Sequence, residues 1–266
     1  TDAYASSAID ADGTINVLSG EINITTSGTA VKGISADGAI TFGNVMNSPN
    51  INISNSGTKM LVSGTSNYTT AVYAEPKNIK SNGSITINNG TFTLSCTQQG
   101  SELIDSDTDI TVNGGTFTMT LGGNQSKGFN ATGTINFNGG TIGVTASGGE
   151  VSENVTAATY DPSYCTAIKS TGTTNINGSN ITIMHTGAAG KGISADADIK
   201  ILSGTIKIST SGTGATYKNA SNVTDSYNAT CITTDGNLII KDGSISCSSS
   251  GSGGKTISAF GTITLG

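Results

Sequence analysis

The chain has 266 residues and a formal net charge of −6, with 18 acidic residues against 12 basic ones, every basic residue being lysine. Without arginine, a basic face or an aromatic RNA-binding motif, nucleic acid is excluded as a partner, and no apolar run is long enough for membrane insertion as a helix. Thirty-seven glycines, 5% aromatic residues and no tryptophan exclude an ordinary compact core, whereas a solenoid needs only thin apolar columns.

Residues 1–9 read TDAYASSAI and match 224–232, TDSYNATCI. The chain is therefore expected to open in the tail of a loop. From Ile9 onward a three-part pattern repeats, in which alternating apolar and polar residues signal short strands. The first apolar position is filled by Ile9, Ile34, Val72, Ile104, Phe129, Ile168, Ile193, Ile232 and Ile257, at intervals of 25, 38, 32, 25, 39, 25, 39 and 25 residues. A period of 25 with discrete insertions predicts an all-β, right-handed parallel β-helix, a solenoid of about nine coils with three strands each, forming a single domain over 1–266.

Coil two carries extra residues at 44–50 and 57–70, and coil three is read as inserting AEPKNIKSNG, 74–83, after a first strand at Val72. From Ile104 a 25-residue coil alternates with a 39-residue one, whose added residues form long loops at 148–164 and 212–230. Lys32, Lys127, Lys191 and Lys255 recur two positions before the first-strand apolar residue, in a set that includes every long coil. Coil nine stops at Gly266 after its second strand, so the solenoid is expected to be truncated or continued at both ends, with head-to-tail self-association, as in a fibre or adhesin stalk, as one consequence.

Three polar columns and the loop tyrosines are candidates for function or structure. Asn88, Asn113, Asn138 and Asn177 stack in successive coils, expected to bond the turn backbone of neighbouring coils. Outward threonines at Thr91, Thr93, Thr116 and Thr118 suit a strand surface. The turn after the first strand bears Asp12, Asp37, Glu75, Asp107, Asp196 and Asp235, with Asp10 and Asp105 nearby. Carboxylates one coil apart repel unless a cation lies between them, and hard oxygen donors suit Ca²⁺ rather than zinc, for which His185 is the lone histidine. Of seven tyrosines, Tyr4, Tyr68, Tyr160, Tyr164, Tyr217 and Tyr227 lie in inserted loops or their terminal counterpart, and Tyr73 is read as pointing outward from the adjoining strand. A tyrosine ring suits the CH face of a sugar and its hydroxyl the sugar's polar edge, so Tyr73, Tyr160, Tyr164, Tyr217 and Tyr227 are the expected polysaccharide surface. The four cysteines fall in distant coils by register and are expected to be unpaired.

The phrases KGISADGAITF, GKGISADADIKILSGTIKIS and CITTDGNLIIKDGSIS resemble the repeats of bacterial carbohydrate-binding β-helix proteins, whose fold is similar to that of calcium-dependent pectate lyases. The resemblance implies a secreted or surface-attached protein that binds cellulose or acidic pectic polymers, with Ca²⁺ in the turns bearing Asp12, Asp37, Asp107, Asp196 and Asp235. Coils three, five, six and nine depart from it with AEPKN, Thr132, Thr171 and Phe260. A lyase of this fold needs a base, and Lys169 is the basic residue read on the outward first-strand face. Its own turn holds Thr171 and no arginine is available to grip a uronate. The expectation is a binding protein rather than an enzyme.

Overall fold

The structure, a computed structural model, describes residues 6–266; Tyr4 lies outside them. It is all-β, and the described residues contain no helix. The first strands form one nine-stranded parallel sheet: Ser7–Ala11, Lys32–Ala36, Lys77–Ser81, Glu102–Ser106, Lys127–Ala131, Thr166–Ser170, Lys191–Ala195, Thr230–Thr234 and Lys255–Ala259. Each strand pairs in register with the next, so Ile34, Ile79, Ile104, Phe129, Ile168, Ile193 and Ile232 stack as one column with no exposed surface. In-register stacking follows from the 25-residue period, since each return brings the same apolar residue over its predecessor and removes both from water.

Coil three departs from the reading above. Its first strand is Lys77–Ser81 with Ile79 in the column, and the returns become 25, 45, 25, 25, 39, 25, 39 and 25 residues. Val72–Ala74 instead pairs antiparallel with Met60–Ser63 as a hairpin. Two site assignments move with it. Glu75 is not in the turn after a first strand, where Asn82 now stands, and Lys80 rather than Tyr73 takes the outward place on the sheet.

The second and third strands do not make separate faces. They join in one fifteen-stranded parallel sheet, because Thr174–His185 and Ile199–Thr210 each run through the intervening corner as a single twelve-residue strand. At that corner Gly90, Gly115, Gly140 and Gly204 have positive φ, and a Cβ on Gly115 would lie 2.8 Å from the Gly90 carbonyl oxygen. Only glycine lets coils stack so closely in that conformation. Phenylalanines fill the interior of the central coils: Phe92 and Phe117 stack at 4.7 Å, flanked edge-on by Phe42 and Phe129 at 5.2 and 5.5 Å.

The asparagine column forms a ladder, though by a different bond from the one expected. Asn113, Asn138 and Asn177 each donate to the side-chain oxygen of the preceding member at 2.9 Å, and Asn88 at its end donates to the Gly43 carbonyl at 3.3 Å. His185 is buried, receives the Gly187 amide on Nδ1 at 3.2 Å and reaches the Cys165 carbonyl through Nε2 at 3.0 Å, which places its proton on Nε2.

Three antiparallel hairpins grow from the corner between a third strand and the next first strand. They are Met60–Ser63 with Val72–Ala74, Val151–Asn154 with Tyr160–Ser163, and Ala215–Lys218 with Thr224–Tyr227. They stand side by side: the Thr69 amide donates to the Asn154 carbonyl at 3.0 Å, and the Tyr227 hydroxyl to Glu150 at 2.7 Å. The result is a wall along one edge of the nine-stranded sheet.

Candidate functional site

The outward face of the nine-stranded sheet meets this wall in a groove of about 750 Å³, within the size range of ligand clefts. Its floor is Lys127, Thr166, Lys169, Lys191, Ser194 and Thr233, with Asp196 and Asp235 from the adjoining turns; its side is Glu153 and 161–164 of the middle hairpin. Alternation puts Lys169, Ser194 and Thr233, each one residue past the isoleucine of its strand, on the face opposite the apolar column. On the far side of the hairpin a second cavity, about 280 Å³, is lined by Val155, Tyr160, Asp161, Tyr217, Asn219, Ala220 and Ser221. Asp161 borders both.

Two lysines of the recurrent column tie the loops down. Lys127 donates to the carbonyl of Tyr164 at 2.6 Å, and Lys191 donates to that of Asn228, the equivalent place 37 residues on in both cases. The Lys191 ammonium also sits 4.4 Å from the centre of the Tyr164 ring, a cation–π contact. Burial, with a smaller contribution from the charge of Lys255, lowers the Lys191 pKa to about 8, and burial likewise lowers that of Lys127. Burial raises that of Tyr164, so its hydroxyl stays protonated.

Of the expected tyrosines, only Tyr164 faces the groove. Tyr160 and Tyr217 belong to the second cavity, and Tyr217 stacks on Tyr227 at 5.8 Å between ring centres. The Tyr73 hydroxyl accepts the Asn67 amide at 3.2 Å and shares a hydrogen bond with Ser66, while Lys59 lies 3.8 Å over its ring. Tyr73 and Tyr227 therefore hold loops in place, and the single tyrosine surface divides into two pockets.

Four of the carboxylates, Glu102, Asp105, Asp107 and Asp196, find close lysine partners. Lys80 bridges Asp105, at 3.1 Å, and Asp107; Lys77 bridges Glu102 and Asp105, the latter at 2.7 Å; Lys169 pairs with Asp196. Asn130 donates to both Glu102 and Asp105 at 2.9 Å. Burial and the charge of Asp105 push Glu102 up to about 8 despite Lys77, whereas Lys77 and Lys80 hold Asp105 below the usual carboxylate range against burial. Asp37 accepts from Asn82 at 2.8 Å, and Asp109 and Asp198 accept backbone amides of the next coil, from Thr134 at 2.6 Å and Asn237 at 2.9 Å. Asp10 and Asp12 are exposed on coil one, with Asp12 one coil from Asp37.

These donors do not fit the calcium expectation. Calcium takes about six to eight oxygens, yet the turns stack two carboxylates at most, and among the described residues no group of three or more His, Cys, Asp or Glu side chains is placed to hold a metal ion. At Asp107 and Asp196 a lysine ammonium pairs with the carboxylate.

Residues 2–125, just under half of the chain, match a family described as carbohydrate-binding domain-containing protein, which supports carbohydrate binding. No curated protein and no solved structure matches the chain. The matched segment covers the first four coils; the groove is built on later coils of the same repeat.

Proposed function

We propose that this chain is a non-catalytic polysaccharide-binding protein on a right-handed parallel β-helix, and that the groove beside the middle hairpin receives the glycan. The handedness follows the near-universal preference of parallel crossovers. The observation that carries the binding reading is the juxtaposition of Tyr164 with a floor of alternating ammonium, carboxylate and hydroxyl groups in one open cleft. The ring offers a surface for a sugar's CH face. The carboxylates of Glu153, Asp161 and Asp235 accept from sugar hydroxyls, and Lys169, Ser194 and Thr233 donate to them.

A binding rather than a lyase role is supported by Lys169, whose ammonium is paired with Asp196 and is thus poorly placed to act as a base. Lysines pair with the turn aspartates Asp107 and Asp196, and glycan binding in this reading does not depend on Ca²⁺. A secreted or cell-surface setting is part of the same proposal, since extended polysaccharides are met there. The test is affinity electrophoresis through neutral glucans and polygalacturonate, with cellulose pull-down, each with and without EDTA. Retardation that survives EDTA supports the proposal; mobility unaffected by every glycan overturns it.

A further inference from the structure

The four cysteines are reduced in this structure, but two of them are not far apart. Cys231 in the strand Thr230–Thr234 and Cys247 in the strand Ser244–Ser249 belong to the same coil, and their strands pack against each other across the interior. Cys231 occupies the place that Asn78 takes in coil three. Asn78 donates to the carbonyls of Ile53 and Ser95 at 3.0 and 3.2 Å; the Cys231 thiol reaches those of Ile208 and Ser248 at 3.7 and 3.2 Å. In register, Ile53 lies beside Leu94 and Ile208 beside Cys247. Cys247 thus stands opposite Cys231 as Leu94 stands opposite Asn78, and Leu94 is buried.

Neighbouring coils measure how close these two positions come. At the place equivalent to Cys231, a Cβ on Gly192 would lie 2.8 Å from Ile208 Cγ2, and one on Gly33 3.0 Å from Ile53 Cγ2. A disulfide sets each Cβ roughly 3 Å from the far sulfur, given its S–S length of about 2.04 Å.

We propose that Cys231 and Cys247 are a site of reversible disulfide formation that links the first-strand sheet to the opposite wall of coil eight. The reaction is exchange with a low-molecular-weight disulfide such as oxidised glutathione. When coil eight opens locally and bares the otherwise buried Cys231, its thiolate attacks one glutathione sulfur, forming a mixed disulfide and releasing one glutathione thiolate. Cys247, after giving up its proton, attacks the Cys231 sulfur, closes the protein disulfide and releases the second glutathione. The protein loses two electrons and two protons, and glutathione disulfide gains them. The neighbouring Cys247 holds the Cys231 thiol below its ordinary pKa against burial, so its thiolate forms at lower pH than those of Cys96 and Cys165. Burial pushes Cys96 and Cys165 up to about 12, which leaves them as internal controls.

The experiment is to equilibrate the folded protein in glutathione buffers of increasing oxidation, block free thiols, and map the peptides by mass. The expected result is loss of two thiols per chain in a monomeric product, recovered as a Cys231–Cys247 cross-linked peptide, with a higher melting temperature that dithiothreitol reverses. Cys231→Ser and Cys247→Ser should each retain three free thiols and show no such shift. Four free thiols in fully oxidised buffer, or a bond that maps to Cys96 or Cys165, overturns the proposal, and the mapping on the unmutated protein decides even if a variant fails to fold.

Discussion

Lys169 pairs with Asp196 in the same geometric relation that Lys80 bears to Asp107: each lysine on the outward face of a first strand reaches forward 27 residues, one coil and one turn, to a carboxylate. The two pairs differ in setting. Lys80 is 4% exposed and also holds the buried Asp105, whereas the Lys169 and Asp196 side chains are 23% and 44% exposed. Breaking a buried pair strands a charge, and an exposed pair contributes little. Lys80→Met should destabilise the fold by about 3 kcal/mol and Lys169→Met by under about 1 kcal/mol, as read by chemical denaturation.

Where lysines supply the counter-charge, at Asp107 and Asp196, calcium is not needed to offset the carboxylate. Melting temperatures in EDTA and in millimolar Ca²⁺ should coincide, because a ligand stabilises only in proportion to its preference for the native state. A rise in calcium that disappears in Asp12→Asn or Asp196→Asn would restore the calcium expectation at that turn.

His185 gives a stability signature. Burial lowers its pKa to about 4 from an ordinary value of 6.5, opposed by its bond to the Cys165 carbonyl. The unfolded chain therefore binds the proton first as pH falls, and stability should be lost between about pH 6.5 and 4, by up to about 3 kcal/mol. Asn55, in the same column, donates to the Val31 carbonyl and accepts the Gly57 amide, so His185→Asn can reproduce the bonds without the titration. Denaturation midpoints should follow a shallower pH profile in that variant over this window.

The stacked phenylalanines fill the narrow interior with no exposed surface at Phe92. Phe92→Ala leaves a cavity between two rigid sheets and should cost about 4 kcal/mol. Phe92→Leu should cost markedly less, measured by the same denaturation.

Much of the architecture was legible in the isoleucine periodicity, since a strand that pairs with its own copies repeats its residues. Coil three misled because Val72, Tyr73 and Ala74 imitate a first strand, while the true one surrounds Ile79 with Lys77, Asn78 and Lys80 and hides its apolar column. The site was legible only in part. Tyr164, Lys169, Asp196 and Asp235 were singled out and do meet in the groove, but hairpins with little apolar periodicity carry no sign of where they lean. Lys127 and Lys191 were visible as a recurring lysine, read as a mark of stacking; the signal lay in its presence on both 39-residue coils, whose loop ends they anchor. The Cys231–Cys247 contact was missed by comparing cysteines between coils, not across one.

Lys191 makes the groove sensitive to pH. Its ammonium is lost as pH rises through about 8, weakening its cation–π contact with Tyr164 and its bond to Asn228. Glycan affinity should therefore fall between pH 7 and 9. Lys191→Met should bind more weakly at pH 7 and show little further change, and amide exchange at 215–227 should quicken as the loop loses its anchor.

The most direct measurement is titration of the tightest-binding glycan from the panel against the unmutated protein, Tyr164→Ala and Tyr73→Ala, each verified as folded by circular dichroism. Loss of a stacking ring in the groove should weaken binding at least about tenfold, or 1.4 kcal/mol, in Tyr164→Ala, with Tyr73→Ala close to unmutated protein. Equal affinity in all three, or a loss confined to Tyr73→Ala, would contradict the placement of the glycan in this groove.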